Sequence, residues 1–265
     1  MPYNVKRVVL ESSEGPMTDQ ELIQAVKAAV LRFDPNAQVI LYGSRARGDA
    51  QPDSDWDFLV LVEREMTRNL EGGLRDALYG LELESGELIS TIIHTKEEWA
   101  KPLMRATPFY RSVTTNTPQC GEKTTRDLSP EEKTVAQARL DNAKEALDAA
   151  SHLLDAHHWH GALHCLYYAC FRAVSALLYV YGMYSGKHAG TRALFSKQFV
   201  ASGDVCAKSG AFYDRIFERT IESEYGELVD ISAEQVLEYQ RGARDFIEEI
   251  QAIVQHRLST AIPQT

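Results

Sequence analysis

Asp55 and Asp57 stand two residues apart in the run SDWDFLVLVE, where an apolar stretch begins. Side chains two apart on an extended chain point to one face, so the two carboxylates are expected to converge. Paired hard oxygen donors suit Mg²⁺, which keeps several waters and completes its shell with substrate phosphates. A second group of residues lies just upstream, in VILYGSRARGD. Gly43 has no Cβ, so the backbone there can turn and approach a ligand closely. Ser44 offers a hydroxyl and a nearby N–H to a phosphate oxygen at the start of a helical turn. Arg45 and Arg47 either balance a polyphosphate or face solvent.

The combined pattern Gly43-Ser44-x-x-x-Gly48, then Ser54-Asp55-x-Asp57, resembles the signature of the polymerase β-type nucleotidyltransferases. It is most similar to their small "minimal nucleotidyltransferase" branch, over roughly residues 20–100. The resemblance implies that Asp55 and Asp57 are catalytic and hold Mg²⁺. It also implies that Gly43, Ser44, Arg45, Arg47 and Ser54 contact a nucleoside triphosphate, whose nucleoside monophosphate passes to an acceptor hydroxyl on a small molecule or a protein tyrosine. Active members usually carry a third carboxylate on a later strand. No aspartate occurs between Asp76 and Asp127, and the corresponding position falls near Ser90. Glu87 is the nearest acid before it, and His94 lies farther along the same expected strand. Two readings therefore stay open: a transferase, or a catalytically degenerate nucleotide-binding or interaction protein.

The elements that must position these residues follow from periodicity. The expected class is α+β, with a small mixed sheet and helices first and an all-α bundle second. The boundaries fall at 1–110 for the first domain, 111–130 for a linker and 131–265 for the bundle. Thr18 and Glu21 form a capping-box pattern ahead of an amphipathic helix over 19–33. Val39–Tyr42 and Phe58–Val62 read as buried strands. Residues 67–80 read as a helix weakened by Gly72-Gly73, Leu88–His94 as a third strand, and Glu97 to Leu103 as one further helix. Residues 107–130, rich in Thr and Pro, read as the linker. A strand or extension around Val5–Leu10 has no evident purpose.

From Ser129 onward the pattern is helical: 131–156, 159–182, 187–202, 209–224 and 232–258. The run 159–182 is apolar nearly all round, which fits a central core helix better than a membrane span because His160, His164 and Arg172 interrupt it. The stretch Tyr167-Tyr168-Ala169-x-Phe171-Arg172, then Ser185-x-Lys187-His188-x-Gly190, then Arg219 with Glu224-Tyr225-Gly226, resembles the HEPN superfamily of helical bundles over about 131–258. Ribonuclease members follow the late arginine with a histidine after four to six intervening residues. Arg219 is followed by TIESEYGE, so no ribonuclease is expected, and an ion pair with Glu222 or Glu224 is the simpler role. The resemblance implies a homodimer through the helical domain.

Composition bounds the rest. The 265 residues carry 44% hydrophobic and 25% charged side chains, as in ordinary globular proteins, with a net charge of −10. No broad basic surface for nucleic acid is advertised. The four cysteines, Cys120, Cys165, Cys170 and Cys206, form no CxxC pair, which argues against a zinc site or disulfide framework. The N-terminus lacks the apolar core of a signal peptide, and a reduced cytoplasm is the expected compartment.

Overall fold

A computed structural model describes residues 17–52, 54–115, 123–124, 126–225 and 231–260. The extension around Val5–Leu10, Cys120, and the Glu224-Tyr225-Gly226 side chains lie outside the described residues. The chain forms two compact units, Met1–Ala100 and Lys101–Thr265.

The first unit is a three-stranded sheet with order β1-β2-β3. Helix α1 (Asp19–Phe33) starts at Thr18, whose side chain accepts from Glu21 N while Glu21 reaches back, the expected capping box. Strand β1 (Gln38–Tyr42) runs into a short helix, α2 (Gly43–Arg47). Strand β2 (Trp56–Val62) is central, antiparallel to β1 and parallel to β3 (Ile89–Thr95). The parallel pairing needs a crossover, and α3 (Arg68–Ser85) supplies it.

One face of β2, Trp56, Phe58, Val60 and Val62, packs with Leu22, Val26 and Val30 of α1 and Leu74 and Leu78 of α3. The expected weak point in α3 is a packing device. A Cβ at Gly73 would lie 2.6 Å from the Phe33 ring, so the missing side chain lets α1 and α3 approach. Asp34, buried after α1, accepts from the backbone N–H groups of Asn36, Glu63 and Arg64 and ties the end of β2 to the end of α1. Sequence reading marked only a helix stop there.

The expected single helix from Glu97 to Leu103 is two, α4 (Lys96–Ala100) and α5 (Pro102–Ala106). Pro102 cannot continue a helix begun before it but suits a first turn. The stretch expected to open the linker is helical instead: α6 (Pro108–Thr115) begins where Thr107 Oγ1 accepts from Tyr110 N at 3.1 Å. These helices fall in the second unit, so the structural division lies at residue 100, ahead of the expected 110.

The second unit continues with α7 (Pro130–Asp155), α8 (Trp159–Val180), α9 (His188–Phe195), a π-helical turn (Ser196–Val200), α10 (Ala207–Tyr225) and α11 (Ala233–Ser259). Capping boxes open α7 at Ser129/Glu132 and α11 at Ser232/Gln235. Helix α8 is long and apolar enough to cross a membrane, yet two-thirds of its most apolar window is buried in the bundle, where α7 and α11 pack on it. Val236, Phe246, Ile250 and Val254 supply the core stripe of α11.

Candidate nucleotide and metal site

The site is assembled by register. In the antiparallel pair, Tyr42 stands opposite Asp57, so the residue that follows the end of β1, Gly43, arrives beside the Asp57 side chain. Gly43 adopts φ +77°, a conformation that favours glycine. A Cβ on it would overlap Asp57 Oδ2 and stand 3.0 Å from Asp57 Cγ. The carboxylate therefore lies against the turn that carries Ser44. Among the described residues the Ser44 hydroxyl makes no hydrogen bond, which leaves it available to a ligand.

Asp55 is exposed just before β2, Asp57 is half-buried, and Trp56 between them is 2% exposed. This is the alternation expected of a strand: the indole enters the core and both carboxylates leave by the other face. The Asp57 carboxyl is raised above its usual range by burial and then by the negative charge of Asp55, while Arg47 pulls it down. An acid whose ionisation is disfavoured beside a second acid forms a site that a cation would relieve. The donor set fits Mg²⁺ in that both ligands are hard oxygens on one face. Among the described residues no group of three or more His, Cys, Asp or Glu side chains is placed to hold a metal ion, so a cation here would need phosphate oxygens and water to complete its shell.

The two arginines separate. Arg47 lies close enough to Asp57 to affect its ionisation, and it pairs with Asp49 at 3.2 Å. Arg45 turns the other way. Its guanidinium lies over the Trp56 ring at 4.4 Å, its Nε donates to Ser54 O at 2.9 Å, and its Nη2 donates to Glu87 Oε2 at 3.1 Å. Trp56 lies on the face opposite the carboxylates, and these internal partners hold the Arg45 guanidinium on the indole side. Ser54 shapes the loop: its Oγ accepts from Gln51 N at 2.9 Å, and its N donates to Gln51 O.

The third-carboxylate question is resolved by the parallel pairing. Ser90 is the β3 partner of Asp57, and parallel neighbours share a face, so a hydroxyl stands where an acid was sought. Glu87 does not substitute for that acid. Its Oε2 also accepts from Trp56 Nε1 at 3.1 Å, on the indole side of the strand. His94 is four residues beyond Ser90, roughly 13 Å along the strand, and faces Glu98 at 3.6 Å.

With this geometry in view, the comparisons are specific. A family model described as a nucleotidyltransferase domain matches residues 22–113, and one described as a HEPN domain matches residues 136–255. A UPF0332 protein from Thermotoga maritima is 38% identical over 128 residues, which cover 48% of this chain and 96% of the relative. The chain belongs to the fused nucleotidyltransferase–HEPN proteins.

In the HEPN unit of this fusion, Arg219 donates to Glu222 at 3.2 Å, the expected helical ion pair. The residues missed in the nucleotidyltransferase unit are the partners of Arg45. The only signal for them was an arginine two residues after the glycine and a lone acid ahead of β3, and neither states which way a side chain turns.

Proposed function

We propose that the first unit binds a nucleoside triphosphate with Mg²⁺ and transfers the nucleoside monophosphate to an acceptor hydroxyl: the new O–P bond forms at the α-phosphorus, the α–β phosphoanhydride bond breaks, and pyrophosphate and the hydroxyl proton leave. The carrying observation is the Asp57 carboxylate packed against Gly43, with Asp55 beside it on the same face. Asp55 and Asp57 would hold the metal. A bound Mg²⁺ supplies charge neutralisation at the phosphates as the transfer proceeds. Gly43 lets the polyphosphate come close to the backbone, and Ser44 donates its hydroxyl to a phosphate oxygen. Arg47, on the carboxylate side, balances the remaining phosphate charge. The reading includes self-association of the helical unit, which light scattering on the full chain tests.

The test is incubation with labelled nucleoside triphosphates, Mg²⁺ and a range of acceptors, comparing the wild type with Asp55→Ala/Asp57→Ala. Label transferred by the wild type and lost in the double variant supports the reading. Ser90 beside Asp57 favours a second reading, a protein that binds nucleotide and no longer turns it over. Binding that depends on the two aspartates, without transfer to any acceptor, would establish that one.

A further inference from the structure

Glu87 has no place in the chemistry just described, yet it holds the arrangement that the chemistry needs. Its Oε2 accepts two donors from different segments: Arg45 Nη2 from α2 and the Trp56 indole from the start of β2, each at 3.1 Å. The same guanidinium covers the indole face and donates through Nε to Ser54 O. Three pieces of chain are thereby joined: the turn after β1, the loop ahead of β2, and the segment that leads into β3. The Arg45 side chain is 14% exposed and that of Glu87 42%, so the guanidinium end of the pair is sheltered while the carboxylate end also meets water. Trp56 lies between Asp55 and Asp57 in the chain, and Arg45 adjoins Ser44. Fixing the indole against the guanidinium therefore fixes the backbone that carries both aspartates against the turn that carries the serine.

We propose that Glu87 is a positioning residue for the nucleotide–metal site: through Arg45 and Trp56 it sets the placement of the Asp55/Asp57 pair relative to the Gly43-Ser44 turn. It contacts neither, and the inference rests on the function proposed above. Glu87→Gln keeps an oxygen for the indole and removes the charge that holds Arg45. Arg45→Lys keeps the charge and removes the fork that spans Ser54 O and Glu87.

The experiment uses the full chain, with Mn²⁺ alone titrated by electron paramagnetic resonance, Mg²⁺–ATP by calorimetry, and the thermal midpoint by circular dichroism. Each single variant is expected to weaken Mn²⁺ binding about tenfold, as loss of an outer-shell partner does, with the midpoint little changed. The double variant is expected to lose no more than either single, because the two residues act as one unit. Glu87→Gln binding Mn²⁺ as tightly as the wild type overturns the proposal. So does a loss that merely tracks the unfolded fraction, or losses that add in the double variant. If the wild type binds Mn²⁺ but not ATP while Glu87→Gln weakens Mn²⁺, the transferase reading fails and the positioning role stands. A wild type that binds neither removes both.

Discussion

Two carboxylates, one in each unit, sit in opposite electrostatic settings. Glu132, in the helical unit, is 4% exposed and meets two guanidinium groups, Arg111 and Arg126, while its side chain also caps α7 through Ser129 N. Burial alone would raise its pKa, but the bonds from Arg126, Ser129 and Arg111 outweigh that and bring it down to about 2. Asp57, in the nucleotidyltransferase unit, is raised, first by burial and then by the charge of Asp55. The first carboxylate is fully satisfied within the protein, and its work is structural. The second is opposed by Arg47 alone, the setting in which the proposed cation would act.

The largest expected effect breaks the contrast on the functional side. Asp55→Ala/Asp57→Ala should lower label transfer by on the order of 10³-fold, with the thermal midpoint unchanged or higher because a repulsion is removed. Next, Glu132→Ala should destabilise the helical unit by about 1–2 kcal/mol in urea unfolding, because it removes the α7 cap at Ser129 and the buried acid shared by Arg111 and the exposed Arg126. Both variants delete carboxylates, and only the second should cost stability.

Acid sharpens the same comparison. Glu132 is lowered in the folded state, so its contribution is present above the ordinary value of 4.5 and is lost as pH falls from there towards 2. A pH series of unfolding curves should show that loss in the wild type and not in Glu132→Gln. Asp57 has the opposite sign. Its raised pKa favours folding below the ordinary 3.8, and that advantage disappears as pH rises through the raised value. Mg²⁺ should therefore raise the thermal midpoint slightly at neutral pH, and Asp55→Asn/Asp57→Asn should abolish that rise. Smallest of all, Ser90→Asp should tighten Mn²⁺ binding several-fold and lower the metal-free midpoint, since it adds a third acid beside Asp57.

Much of the fold was legible because its signals are local. Thr18 with Glu21, Ser129 with Glu132 and Ser232 with Gln235 are caps contained within four residues, and all three open helices where expected. The break at Pro102 is equally local, but the apolar pattern from Trp99 to Leu103 runs across it and masks it. Helix α6 lay hidden in a Thr- and Pro-rich stretch whose composition suggests a linker. There Thr107 caps it, and Val113 is buried. Gly73 shows the reverse case: propensity made it a weakness, whereas contact with Phe33 makes it necessary.

The candidate site divides along the same line. The alternation of Asp55, Trp56 and Asp57 determined from sequence alone that two acids share a face and an indole leaves by the other, because a strand has a period of two wherever it lies. The capped helices and the apolar core of α8 were likewise set by nearest neighbours. Only tertiary structure decided what meets that acidic face. Antiparallel register brought Gly43 to Asp57, parallel register put Ser90 beside it, and long-range contact turned Arg45 to Glu87 while leaving Arg47 by the acids. Pairing between segments many residues apart depends on how the whole sheet closes, and no stretch of sequence read by itself contains that information.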